Sequence, residues 1–177
     1  QAQNWVNERL KYTHGYGVAL SPVNRVTPEG LPSLMVKDIP PVSQGFVKVT
    51  RPEIYFGEVA NDYLFVKTLE QELAYPAGDQ NIYTTYEGDG GVQLKSFWRK
   101  LLYSARFATL RISLSNDITQ DSRILYYRKI QDRVQKLAPF LTFDEDPYLV
   151  VTPDGRLYWI VDGYTTSDRY PYSEPRE

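Results

Sequence analysis

His14 is the only histidine of the chain, set between Tyr12 and Tyr16 and beside Gly15 and Gly17. An imidazole titrates near neutral pH, so it is the side chain best suited to be a general base or a metal ligand there. A zinc centre takes three or four ligands. With no second histidine and no cysteine in the chain, a zinc site built from it is set aside and no metal ligands are assigned. The plainer role is a histidine hydrogen-bonded within a glycine-rich turn. Cleavage of a glycosidic bond needs two opposed carboxyl groups several ångströms apart, and Glu53, Asp79, Glu87 and Asp168 are the possible members. Nucleophilic serine chemistry lacks its Gly-x-Ser-x-Gly context, and any Ser-His-Asp set would have to use His14. No catalytic residue is therefore assigned. Tyr12, His14, Tyr16, Glu53, Glu87, Asp168 and Arg169 stand as candidate ligand-binding residues, and no cofactor is expected.

Three further segments carry weaker signals. Gly88-Asp89-Gly90-Gly91 precedes a helical pattern, and exposed N–H groups at a helix start can cradle phosphate. The P-loop ending and the Gly-x-Gly-x-x-Gly spacing are both absent, and Asp89 would repel an anion, so a loop entering a helix is the better reading. Asp144-Glu145-Asp146 offers oxygens of the kind calcium takes, without an EF-hand pattern; it reads as a solvated loop. Thr165 to Tyr172 is a polar, aromatic tail that reads as a lead into further chain.

These residues need elements to position them. Prolines 22, 28, 32, 40, 41 and 52 and glycines 15, 17, 30, 45 and 57 make residues 1–60 loop-rich, because proline rules out long helices and central strands. A helical turn near Asn4 to Leu10 and short extended pieces at Gly17 to Leu20, Leu34 to Lys37 and Phe46 to Thr50 are expected. Glu53 to Glu58 and Tyr63 to Thr68 read as a hairpin around Val59 to Asp62, and Tyr83 to Tyr86 as a further strand. Leu94, Phe97, Trp98, Leu101, Leu102 and Ala105 fall at helical spacing and predict an amphipathic apolar stripe, with Lys95, Arg99 and Arg106 on the far side. A second helix is expected over 120–138, capped by Thr119, burying Tyr127, Ile130, Val134, Leu137 and Ala138 and stopped by Pro139. Tyr148 to Thr152 and Arg156 to Asp162 flank Pro153-Asp154-Gly155, which is turn chemistry for a hairpin. One face of that hairpin is expected against the helices. The fold class is α+β: antiparallel hairpins packed on two main helices, after a loop-rich first third.

At 177 residues the chain suits a single domain, 1–177, large enough to bury a core without staples. Its 20 basic and 22 acidic residues argue against a nucleic-acid binder, which needs a basic footprint. Absence of cysteine excludes disulfides without fixing the compartment. No apolar run nears the roughly 20 residues of a membrane span. The polar opening Gln1-Ala2-Gln3 and the closing Tyr170-Pro171-Tyr172-Ser173-Glu174-Pro175 suggest a piece of a longer protein. Fifteen tyrosines suit a small amphipathic core and edge strands, or a face that binds glycan or protein.

A resemblance adds to this. Asn4 to Asn7, Thr13-His14-Gly15-Tyr16-Gly17, Ser21 to Asn24 and Pro28-Glu29-Gly30-Leu31-Pro32 carry it. So do Lys37 to Pro41, Arg51-Pro52-Glu53-Ile54-Tyr55-Phe56-Gly57-Glu58, Tyr83 to Gly88 and Tyr164 to Pro171. Together they resemble Uncharacterised Protein Family one-eight-two, a group of large bacterial membrane proteins. The resemblance implies several N-terminal transmembrane helices absent from this chain, followed by a long soluble region outside the cytoplasm, with actinobacteria and cyanobacteria as typical hosts. It supplies no catalytic residues. Three readings follow: an interaction or ligand-binding module, a cell-envelope hydrolase or transferase acting on glycan or lipid-linked substrate, or a structural part of a larger assembly. The expected partners are the remainder of its own membrane protein and envelope glycan or another envelope protein, with no nucleic acid.

Overall fold

The computed structural model describes residues 5–45, 47–59, 62–167 and 169. At its centre is a three-stranded antiparallel sheet, with Arg123–Leu125 between Leu64–Val66 and Val92–Gln93. Side chains alternate across a strand, and here both faces are buried. Phe65 and Ile124 face a cluster with Leu10, Leu94, Ile112 and Ile118. Leu64, Val66 and Leu125 face a second cluster with Tyr55 and Tyr86. The sheet is thus a wall between two apolar clusters.

The helix side holds α1 (Phe97–Arg106) and α2 (Arg111–Leu114). Ser96 caps α1, its hydroxyl accepting from the Arg99 N–H at 3.4 Å. The expected apolar stripe of α1 does not enter the core: Phe97, Trp98 and Leu102 are 62%, 71% and 69% exposed, and Ala105 is exposed too. Only Leu94, ahead of the helix, is buried. The helix docks instead through Ser104, Tyr103 and Phe107, the two rings packing on the core cluster. Trp5, in the N-terminal helical turn, closes this side: its ring centroid lies 5.8 Å from Phe65 and its Nε1–H donates to the Tyr63 hydroxyl at 3.3 Å.

Two other expectations are corrected. Glu53–Ile54 and Leu64–Val66 are strands, but they do not pair with each other; the first joins Gly15–Tyr16 and the second joins Arg123–Leu125. The anticipated helix over 120–138 shortens to α3 (Ile130–Leu137), because Arg123–Leu125 is drawn into the central sheet and Tyr127 takes a left-handed φ of 50°. Ile130 is buried as expected, whereas Leu137 is 74% exposed. The chain leaves α3 just before Pro139.

The remaining elements are small antiparallel pairs. Glu72–Ala77 pairs with Gln80–Thr84, a hairpin whose first strand was not expected. Tyr148–Val151 pairs with Leu157–Ile160 as anticipated, with Tyr148 opposite Ile160. Its turn holds Gly155 at φ 84°, where an added Cβ would lie 2.6 Å from the Lys48 carbonyl oxygen. This hairpin does not lie on the helices. Trp159 reaches the other side of the sheet, its Nε1–H donating to the Phe56 carbonyl at 2.8 Å. The architecture is α+β, with many antiparallel strands in small sheets.

Candidate functional site

Glu72 opens its strand opposite Thr84, and its side chain is 3% exposed. Burying a carboxylate is tolerable only when donors surround it. One oxygen accepts from the Thr13 hydroxyl at 2.7 Å and the Tyr55 hydroxyl at 2.8 Å. The other accepts from the Tyr86 N–H at 3.3 Å and the Lys67 N–H at 3.5 Å. Arg128 braces the same region, its guanidinium donating to the Tyr55 and Thr13 carbonyls at 2.8 and 3.0 Å. Burial lowers the Arg128 pKa to about 10. Burial, and then the charge and hydrogen bond of Glu72, push the Tyr55 phenol well above its usual range.

His14 hangs on this network. Its Nδ1 lies 2.9 Å from Thr13 Oγ1. The one Thr13 hydroxyl proton is given to Glu72, so the oxygen accepts from His14 and Nδ1 carries the imidazole proton. The opposite nitrogen, Nε2, is buried and without a hydrogen bond. Burial drives the His14 pKa down to about 4; Glu53 opposes this and Arg128 adds to it. The ring is therefore neutral at pH 7, and its contact with Glu72 at 3.8 Å is not an ion pair there. It packs 4.8 Å from the Tyr55 ring.

In front of this network lies an open cleft of about 460 Å³, lined by Arg51, Glu53, Tyr55, Tyr86, Glu87, Gly88, Arg156, Leu157 and Tyr158. Arg51 holds its two acids together: Nη1 is 2.8 Å from Glu87 and Nε is 3.4 Å from Glu53. Glu53 takes one hydrogen bond, from the Thr84 hydroxyl at 3.0 Å to Oε1. Its other oxygen, Oε2, is buried and faces the Arg51 Nε at 3.4 Å. Tyr158 forms an exposed rim.

The structure brings Glu53 and Glu87 together in the cleft lining. The His14 side chain has no exposure and is not among the cleft's lining residues, so it cannot exchange a proton with a molecule in the cleft without moving. Tyr16 pairs in register with Glu53 but packs its ring 4.9 Å from Tyr75. Tyr12 is exposed and Arg169 lies in an exposed turn, neither lining the cleft. Asp168 lies outside the described residues. Sequence reasoning missed Glu72, Arg51, Arg156 and Tyr158; only the adjacency of Arg51 and Glu53 offered a signal. The Gly88–Gly91 loop is turned away from phosphate chemistry, for Arg123 donates to the carbonyls of Asp89, Gly90 and Gly91 at 2.6, 2.8 and 3.1 Å. Asp144 accepts from the Asp146 N–H at 3.3 Å, an ordinary loop contact.

Fold and site define an α+β domain with an open polar cleft on one side of a buried sheet and the first two helices on the other. The chain belongs to the Uncharacterised protein family (UPF0182), whose profile it matches over residues 1–177. A UPF0182 protein of Geobacter sulfurreducens is 57% identical over 174 residues, covering 98% of this chain and 20% of that protein. Those of Desulforamulus reducens and Pelotomaculum thermopropionicum are 53% and 52% identical over 175 residues, covering 99% of this chain and 19% of each relative. The chain thus spans about a fifth of the length of these curated relatives. No solved structure matches it.

Proposed function

We propose that this chain is a ligand-binding module of a larger bacterial membrane protein, facing the outside of the cytoplasm, and that the cleft takes a polyhydroxyl ligand of the envelope-glycan type. The observation that carries this is the cleft wall itself: Arg51 holds both Glu53 and Glu87 in place along an open cleft. Charged groups fixed in this way give a concave site a few polar points that orient a ligand, and ligand hydroxyls can use them. Two arginines and two glutamates stand in the lining, a balance that suits a neutral ligand, and the exposed Tyr158 ring offers an apolar face of the kind sugars stack on. The membrane and extracytoplasmic setting rests on the family resemblance.

The test is a thermal-shift series of this chain with cell-wall glycan fragments, nucleotides and divalent metals. A ligand at 100 times its Kd adds about 2.7 kcal/mol to stability. The expected result is stabilisation by glycan fragments that is lost in Arg51→Ala and Glu53→Gln. A folded chain that responds to none of them overturns the ligand-binding reading and favours a structural role in the larger protein. Labelling of a cysteine placed at Asp79 by a membrane-impermeant maleimide, on intact cells, tests the side; protection until lysis rejects the extracytoplasmic placement.

A further inference from the structure

The outer face of α1 and α2 has the composition of a surface that meets lipid. At about 100° per residue, Phe97, Trp98, Leu101, Leu102 and Ala105 share one arc of α1. That arc points outward, with Phe97, Trp98 and Leu102 each more than 60% exposed. Leu110 and Leu114, at the ends of α2, are 68% and 74% exposed. Monomeric domains seldom leave such a run of large apolar side chains open unless something covers it.

Charge indicates what covers it. Between Asp89 and Asp117 there is no acidic residue, while Lys95, Arg99, Lys100, Arg106 and Arg111 are basic, in a chain whose acids otherwise outnumber its bases. The ion pairs among the described residues join Arg9 to Asp62, Arg51 to Glu53 and Glu87, and Arg156 to Asp154, and use none of these five cations. Lys95, Arg99, Arg106 and Arg111 are exposed. Aromatic and aliphatic side chains on one arc, with lysine and arginine beside them and no acid, is the pattern of a helix lying in a bilayer interface. Tryptophan favours the headgroup level, and anionic headgroups attract the cations. The apolar core of a protein–protein interface, by contrast, is depleted of charge.

We propose that the outer face of α1 and α2 rests on an anionic lipid surface. This is independent of the cleft, which lies across the central sheet. The test places a photo-crosslinker in the full-length protein in its native membrane, as Trp98→benzoylphenylalanine and separately Leu102→benzoylphenylalanine, with Asp79→benzoylphenylalanine in the exposed turn of the Glu72–Ala77 hairpin as control. Irradiation and mass spectrometry should give phospholipid adducts at 98 and 102 and none at 79. Adding Lys95→Glu and Arg111→Glu should cut the adduct yield at least fivefold. Cross-links from 98 or 102 into another segment of the same protein or into a second protein, an absence of adducts, or a yield unchanged by the charge reversals would each overturn the proposal.

Discussion

At the residue scale the decisive group is Glu72, whose two oxygens accept four hydrogen bonds from Thr13, Tyr55, Tyr86 and Lys67. Glu72→Gln keeps the shape but turns one acceptor into a donor facing other donors. It should lower stability by about 1–3 kcal/mol, read as a shifted urea midpoint at unchanged slope. His14 adds a pH dependence whose sign follows from burial. Its folded pKa is about 4 against an ordinary 6.5, so between those values the unfolded chain binds a proton that the folded chain does not. The stability from neutral His14 is full above pH 6.5 and is lost as pH falls toward 4. Denaturation midpoints at pH 7 and pH 4.5 should therefore differ more in the parent than in His14→Gln. Little of this was legible beforehand. Nothing in Glu70-Gln71-Glu72 marks one acid as buried, because Thr13 and Tyr55 stand 59 and 17 residues away. The isolated histidine could be singled out, but its depth could not.

At the element scale, legibility follows the range of the interactions that decide each element. The hairpin of Tyr148–Val151 and Leu157–Ile160 was readable because Pro153-Asp154-Gly155 settles it locally. Gly155→Ala should cost about 1–3 kcal/mol, since the turn needs a φ of 84° and the new Cβ would meet the Lys48 oxygen at 2.6 Å and Thr50 Cγ2 at 2.8 Å; a thermal melt checks this. Arg123–Leu125 was misread as helix because its strand partners, Leu64–Val66 and Val92–Gln93, are distant in sequence. Tertiary pairing overrode the helical pattern. The α1 stripe is legible as an apolar face, but periodicity reports a face and not what lies against it. Leu102→Ser should therefore change stability by less than about 0.5 kcal/mol, whereas Ile112→Ala, fully buried on α2, should cost about 2–5 kcal/mol. Equilibrium unfolding of the two variants distinguishes these outcomes.

At the scale of the whole molecule, composition and turn signals were enough for the α+β class, while the arrangement around one doubly buried sheet depended on pairings no local pattern reveals. No helix among the described residues is long and apolar enough to cross a membrane, so any contact of α1 with lipid would be along its side. The three tryptophans fall in three different places. Trp5 packs on Phe65 in the core, Trp98 is open on α1, and Trp159 lines a pocket with Glu53, Tyr55 and Tyr86 beside the cleft. The chain thus carries its own optical probes, one for each region. Acrylamide should quench Trp98 emission strongly and Trp5 weakly, and variants that keep one indole at a time would let core, cleft and helix face be followed separately by fluorescence, with no dye attached.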